Sequence, residues 1–253
     1  DNITFHTMIF PSILIGLGIE NPNIRIVSSE YLKLEGKPFS SVKNWAIWAD
    51  YICKNYNVDS LRYYLIVKSP EDKDTDFTWR EYINVHNNDL CTVINNFINK
   101  VISFCTRNYG NRVPSAQLDD NMKNNILDLY FNVGDNIEEG HFKNALNSIL
   151  EFCKKQNKIF DDNKMWELLE KNPLKCRNLI YNYIQIVANL SNLLQPFMPT
   201  YSENIRKMLS IDFPIWSFIE KKEGIIKEYN QFFKRIDKHR AIEEVDKLKY
   251  EKI

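Results

Sequence analysis

Two hydroxyls and a cation crowd into four residues at Ser40, Ser41 and Lys43, a few positions after Gly36. Gly36 permits a tight turn, and two apolar, strand-like runs precede it at residues 23–27 and 31–34. Hydroxyls and a positive charge on a mobile loop of this kind can hold a polyphosphate by hydrogen bonds and electrostatics. The plain alternative is a surface turn with two solvated lysines, Lys37 and Lys43.

Other residues invite similar questions. Asn96 and Lys100 lie four apart and therefore share one helix face. That face either reads a ligand or is simply solvated. Trp166 either packs between helices or presents a ring for stacking. Asp1 reads as a helix-start cap and His6 as a core residue unless something larger sets them in a site.

The chain that must position these residues has 253 positions, enough for one large or two modest domains. Lys and Arg number 33, as do Asp and Glu, so a strongly basic nucleic-acid coat is excluded while a local basic face is not. No apolar run reaches membrane-spanning length, and the start lacks a signal-peptide pattern, so a cytoplasmic location is expected. The five cysteines are scattered without a close pair and read as reduced, packed thiols; the spacings of a zinc site are missing. Only seven glycines argue for a largely helical chain.

Periodicity predicts an apolar helix over residues 6–18, then the two strand-like runs and the loop. Short helices over 46–56 and 58–67 follow, and Asp74-Thr75-Asp76 offers cap residues ahead of Trp79. From Trp79 the pattern is helical, with further helices over 118–132, 142–160 and 176–194. The charged tail from Lys221 lies over the surface or carries one more helix. The expected class is mainly α: the C-terminal part of a Rossmann-type α/β domain over 1–80, followed by an antiparallel helical bundle over 81–253.

A family resemblance runs in order along this frame. The strings Asp1-Asn2-Ile3-Thr4-Phe5-His6, Phe10-Pro11 and Glu30-Tyr31-Leu32-Lys33-Leu34-Glu35-Gly36 resemble the second half of a methionyl-tRNA synthetase catalytic domain. So do Leu61-Arg62-Tyr63-Tyr64-Leu65 and Asp74-Thr75-Asp76-Phe77-Thr78-Trp79. Asn87-Asn88-Asp89-Leu90, Gln195-Pro196-Phe197-Met198-Pro199 and Phe233-Lys234-Arg235-Ile236 are similar to the helical anticodon-binding domain of the same enzymes.

The resemblance implies a class I ligase that activates methionine with ATP and Mg²⁺ and transfers it to tRNA(Met). It implies that Asp1 holds the ATP ribose and that His6 and Phe10 line the methionine pocket, where aromatic rings suit a thioether. Residues 38–42 fall on the KMSKS signature, whose lysines stabilise phosphate charge; Lys37, Ser40, Ser41 and Lys43 become the catalytic candidates. Pro38 and Val42 depart from the signature, and Pro38 removes an N–H. Asn96, Lys100 and Trp166 match anticodon-reading residues, an amide and a cation for base edges and a ring for stacking; Met165 stands where the family has proline. The HIGH segment has no counterpart here. The expectation is therefore the C-terminal half of a catalytic unit, completed by an upstream segment or a separate chain. The alternative is a non-catalytic tRNA-binding or regulatory paralogue.

Overall fold

The computed structural model describes residues 2–19, 24–228 and 232–250. It begins with a π-helical turn (Phe5–Ile9) running into α1 (Phe10–Gly16). The strand-like run at 23–27 does not become a strand over its described part, 24–27. Its apolar side chains stay exposed and no strand pairs with it among the described residues; Arg25 instead donates to the Glu138 carbonyl and pairs with Glu139.

The second run does form a strand, β1 (Leu32–Leu34), the centre of a three-stranded sheet of order β2-β1-β3. β2 (Lys37–Pro38) is antiparallel to it, with Leu34 opposite Lys37. Proline is tolerated there because β2 is an edge. β3 (Thr75–Phe77) is parallel to β1. Asp74-Thr75-Asp76 therefore does not cap the next helix. Asp74 and Asp76 accept from Tyr31 N and Gly36 N, and Thr78 supplies the cap, its side chain accepting from Glu81 N at 3.2 Å.

Between β1 and β3 the chain makes the crossover a parallel pair requires, through α2 (Ala49–Asn55) and α3 (Val58–Val67). Adjacent tyrosines on α3 face two different cores. Tyr64 joins Leu34, Phe77, Trp79 and Tyr82 in a small aromatic core under the sheet, while Tyr63 joins the large core of the bundle.

The bundle starts as one long rod: α4 (Trp79–Val85), a π-helical stretch (His86–Asn95) and α5 (Asn96–Tyr109), closed by Gly110 at φ +63°. Helices α6 (Asp120–Glu138), α7 (Phe142–Asp162), the short α8 (Met165–Lys171), α9 (Pro173–Leu193) and α10 (Pro199–Leu209) complete it. From Ile180 to Leu193 every residue of α9 is buried. Its polar stripe is matched group for group. Asn189 donates to the Ile219 carbonyl and accepts from Ile219 N, and Gln185 does the same with Lys221. Buried amides so paired fix a loop that has no regular structure of its own.

Strings that are distant in sequence meet in space. Arg62 donates to the carbonyls of Pro196 and Phe197, and Asn87 makes a two-way pair with the Ile236 backbone. The tail does carry one more helix, α11 (Arg240–Tyr250), and it returns to the sheet module, where Ala241 and Leu248 enter the aromatic core.

Candidate functional site

The phosphate-loop candidate is a closed hairpin. Glu35 and Gly36 make a two-residue turn with both φ positive, +48° and +77°, the geometry of a tight hairpin turn. Both oxygens of Asp76 accept from Gly36 N, at 3.0 and 2.9 Å, and tie the turn to β3. Glu35 accepts from Trp79 N at the start of α4; burial raises its pKa, and that N–H bond opposes the rise.

Beyond β2 the chain closes a second time. Ser40 and Trp45 exchange backbone hydrogen bonds of 2.9 and 2.8 Å, and Asn44 N donates to the Ser41 carbonyl. Ser40 Oγ accepts from Lys43 N at 3.2 Å, which turns that hydroxyl inward. Trp45 is the hub: its Nε1 donates to the Leu34 carbonyl at 2.8 Å, and the Lys37 ammonium lies 4.5 Å above its ring. Ser41 and Lys43 are exposed on either side of Val42, whose 96% exposure marks the tip. The loop thus presents one hydroxyl and one cation outward and holds a second cation against an indole.

His6 and Phe10 share a separate, open cleft of about 650 Å³ with Asn2, Arg25 and Tyr31. None of Lys37, Ser40, Ser41 or Lys43 lines it. Asp1 lies outside the described residues. The whole described stretch 2–19 has no buried residue: Met8 is 64% and Leu17 73% exposed, so α1 presents an apolar surface to solvent.

The second constellation sits on the bundle. Asn96 opens α5 and is half-buried, and Lys100 is one turn further on the same face. The Lys100 ammonium contacts both carboxylate oxygens of Asp161, at 2.7 and 2.8 Å. That pair ties α5 to the end of α7, next to the turn at Lys164 (φ +43°) that launches α8. At the start of α8, Met165 is fully buried and supplies the packing, while Trp166 is 58% exposed. Glu167 beside it is flanked by Lys171 and Lys164, which hold its pKa down. The constellation is therefore a ring, an amide and a paired cation on an open surface.

Trp45 and Asp161 escaped the reading of the sequence. Asp161 had left a signal: Asp161-Asp162 closes a helix at the end where its dipole disfavours anions, which calls for a cationic partner. Among the described residues no three His, Cys, Asp or Glu side chains are grouped to hold a metal ion, and no helix is long and apolar enough to cross a membrane. None of the five cysteines is disulfide-bonded; four are buried and Cys53 is exposed.

Comparison with known proteins gives a consistent result. The family model for class I tRNA synthetases (M) matches residues 1–102. A methionine–tRNA ligase of Bacillus cereus (strain Q1) is 42% identical over 248 residues, 98% of this chain and 46% of that protein. One from Bacillus anthracis (strain A0248) is 41% identical over the same extent. Methionyl-tRNA synthetase of Mycobacterium tuberculosis shares the fold, with TM-scores of 0.76 for its apo form at 23% identity and 0.77 for its methionyl-adenylate complex at 24%. These alignments cover 93% of this chain and 48% of that one. The chain spans about half the length of the relatives it matches.

Proposed function

We propose that this chain, which belongs to the class I methionyl-tRNA synthetases, supplies the KMSKS side and the anticodon-binding half of a methionine–tRNA ligase. Residues 1–80 then belong to the catalytic domain and residues 81–253 to the RNA-binding bundle, with α11 returning to the first. In the reaction, a methionine carboxylate oxygen attacks the α-phosphorus of ATP, and the bond to the bridging oxygen breaks. Pyrophosphate departs with the electron pair. A ribose hydroxyl of the tRNA then attacks the activated carbonyl and AMP leaves. Mg²⁺ enters with the ATP phosphates as part of the substrate.

This chain's share of that chemistry is charge and position. Lys43 and Ser41 face outward where phosphate oxygens can meet them, and Lys37 adds a cation whose lodging on Trp45 sets its place. Preplaced cations at a site of developing negative charge lower the barrier without reorganisation. His6 and Phe10 would form one wall of the methionine pocket and Asp1 would hold the ATP ribose. Asn96, Lys100 and Trp166 would read the anticodon, with Lys100 exchanging Asp161 for RNA.

The observation that carries the reading is the double-closed loop that follows the edge strand β2, in a chain whose apolar α1 has no buried residue among the described residues. A segment bearing the HIGH half, upstream or on a separate chain, would cover that helix and complete the nucleotide site. Methionine-driven exchange of pyrophosphate into ATP by the intact protein tests the proposal; no exchange removes it.

A second reading has its own support. Pro38 and Val42 replace signature residues, and Val42 at the tip offers phosphate nothing. A tRNA-binding or regulatory paralogue would keep the bundle constellation and lose exchange.

A further inference from the structure

We propose that Glu244, on the last helix, is a positioning residue for the phosphate loop; the inference rests on the reading of residues 37–43 as that loop. The loop has two roots. Its N-terminal root is β1 and β2, anchored by buried Leu34 and by Asp76 on the Gly36 amide. Its C-terminal root is α2, reached through Trp45 and Trp48. That second root is thinly packed: among the described residues of α2 only Ile52 is buried.

Beside the packing of Ile52, Tyr51 and Tyr56 on the aromatic core, a carboxylate from the far end of the chain gives α2 its polar hold. Glu244 has 0% exposure. Its Oε2 accepts from the Tyr51 hydroxyl at 2.7 Å and its Oε1 from the Tyr56 hydroxyl at 2.8 Å. Tyr51 lies on α2 and Tyr56 is the residue that ends it. Two cations of α11 complete the cluster: Lys247 lies 3.2 Å and Arg240 3.3 Å from Oε1, and Lys247 also donates to the Tyr51 oxygen at 2.7 Å. A fully buried carboxylate persists only when its oxygens are satisfied and its charge is paired. Here both conditions are met by groups from just two elements, α2 and α11. Ala241 and Leu248 fix α11 in the aromatic core that also contains Leu34 and Ile52. Both roots of the loop thus rest on one core, and Glu244 is the polar link that brings the second root to it.

None of these five side chains touches the outward-facing Ser41 or Lys43, so the effect is on where the loop sits, not on its chemistry. A displacement of about 1 Å at groups that stabilise a transition state can cost up to about a hundredfold in rate. Loosening α2 should therefore appear in the use of ATP rather than of methionine.

The test compares Glu244→Gln with the double variant Tyr51→Phe/Tyr56→Phe, which keeps both rings and removes only the hydroxyls. In the intact protein, amide exchange at Asn44 and Trp45 should rise about tenfold in both variants, with the α9 amides unchanged. The ATP KM in pyrophosphate exchange should rise severalfold, while the methionine KM and tRNA affinity stay put. Combining the two variants should add nothing further, because both break one link. Wild-type loop exchange in the tyrosine double variant overturns the proposal, as does an equal rise in the methionine KM. Lys37→Ala and Lys43→Ala separate the premise from the inference. If they leave ATP use unchanged while the Glu244 variant still loosens the loop, the phosphate role falls and the mechanical link stands.

Discussion

α1 and α9 are both rich in isoleucine and leucine, yet one has no buried residue and the other has an unbroken buried run from Ile180 to Leu193. The difference lies in what surrounds them. α9 is enclosed by helices of its own chain, and its amide side chains are paired with the 215–221 loop. α1 meets nothing comparable within the described residues. A helix apolar all round is normally a buried element; α9 meets that expectation within the described residues and α1 does not. Among the described residues, the bundle buries its own apolar helix and the N-terminal stretch leaves its apolar surface exposed.

The largest effects that would sharpen this contrast are in the bundle core. Ile184→Ala should cost about 2–5 kcal/mol in urea unfolding, since the side chain is fully enclosed. Leu17→Ala should change stability by less than about 0.5 kcal/mol in this chain alone. A comparable cost at both sites would break the comparison. Asn189→Leu should cost about 1–3 kcal/mol, because the Ile219 N–H and carbonyl lose their partner; unchanged exchange at the Ile219 amide would contradict the pairing.

A smaller effect concerns pH. His86 is buried between the Ser60 hydroxyl and the Lys234 carbonyl, at 2.6 and 2.8 Å. A carbonyl only accepts, so Nε2 carries the proton and Nδ1 accepts from Ser60. Burial lowers the pKa of His86 below its ordinary 6.5, against the Lys234 contact. The folded value lies below the unfolded one, so stability is complete above about pH 6.5 and declines as pH falls toward the folded value. His86→Gln should flatten that slope in denaturation measured across this range.

The least disruptive change to the fold is at the bundle's open face. Trp166→Ala should leave the fold intact and weaken tRNA binding by roughly 1–3 kcal/mol if the ring stacks on a base. Met165→Ala, next to it, should do the reverse and lower stability.

Much of this architecture was legible in the sequence, and its failures have causes. The helix at 58–67 and the long helices begin or end near where periodicity puts them, because their apolar stripes have partners inside the chain. Residues 24–27 read like a strand but have no strand to pair with among the described residues. Asp74-Thr75-Asp76 reads as a capping run, but Thr75–Phe77 forms β3 because β1 offered a free edge, a non-local fact. The loop could be located from Gly36 and its hydroxyls, but not its closure, which depends on Trp45 reaching back to Leu34. In the bundle, Asn96 and Lys100 shared a face as their spacing required, whereas the Asp161 partner came from another helix.

The proposed role of the loop is to handle ATP phosphates during methionine activation. Methionine-dependent ATP–pyrophosphate exchange, measured on the intact protein and on its Lys43→Ala variant, tests it most directly. Exchange is expected in the first and a loss of at least about tenfold in the second. No exchange in the intact protein, or exchange unaltered by the substitution, would contradict it.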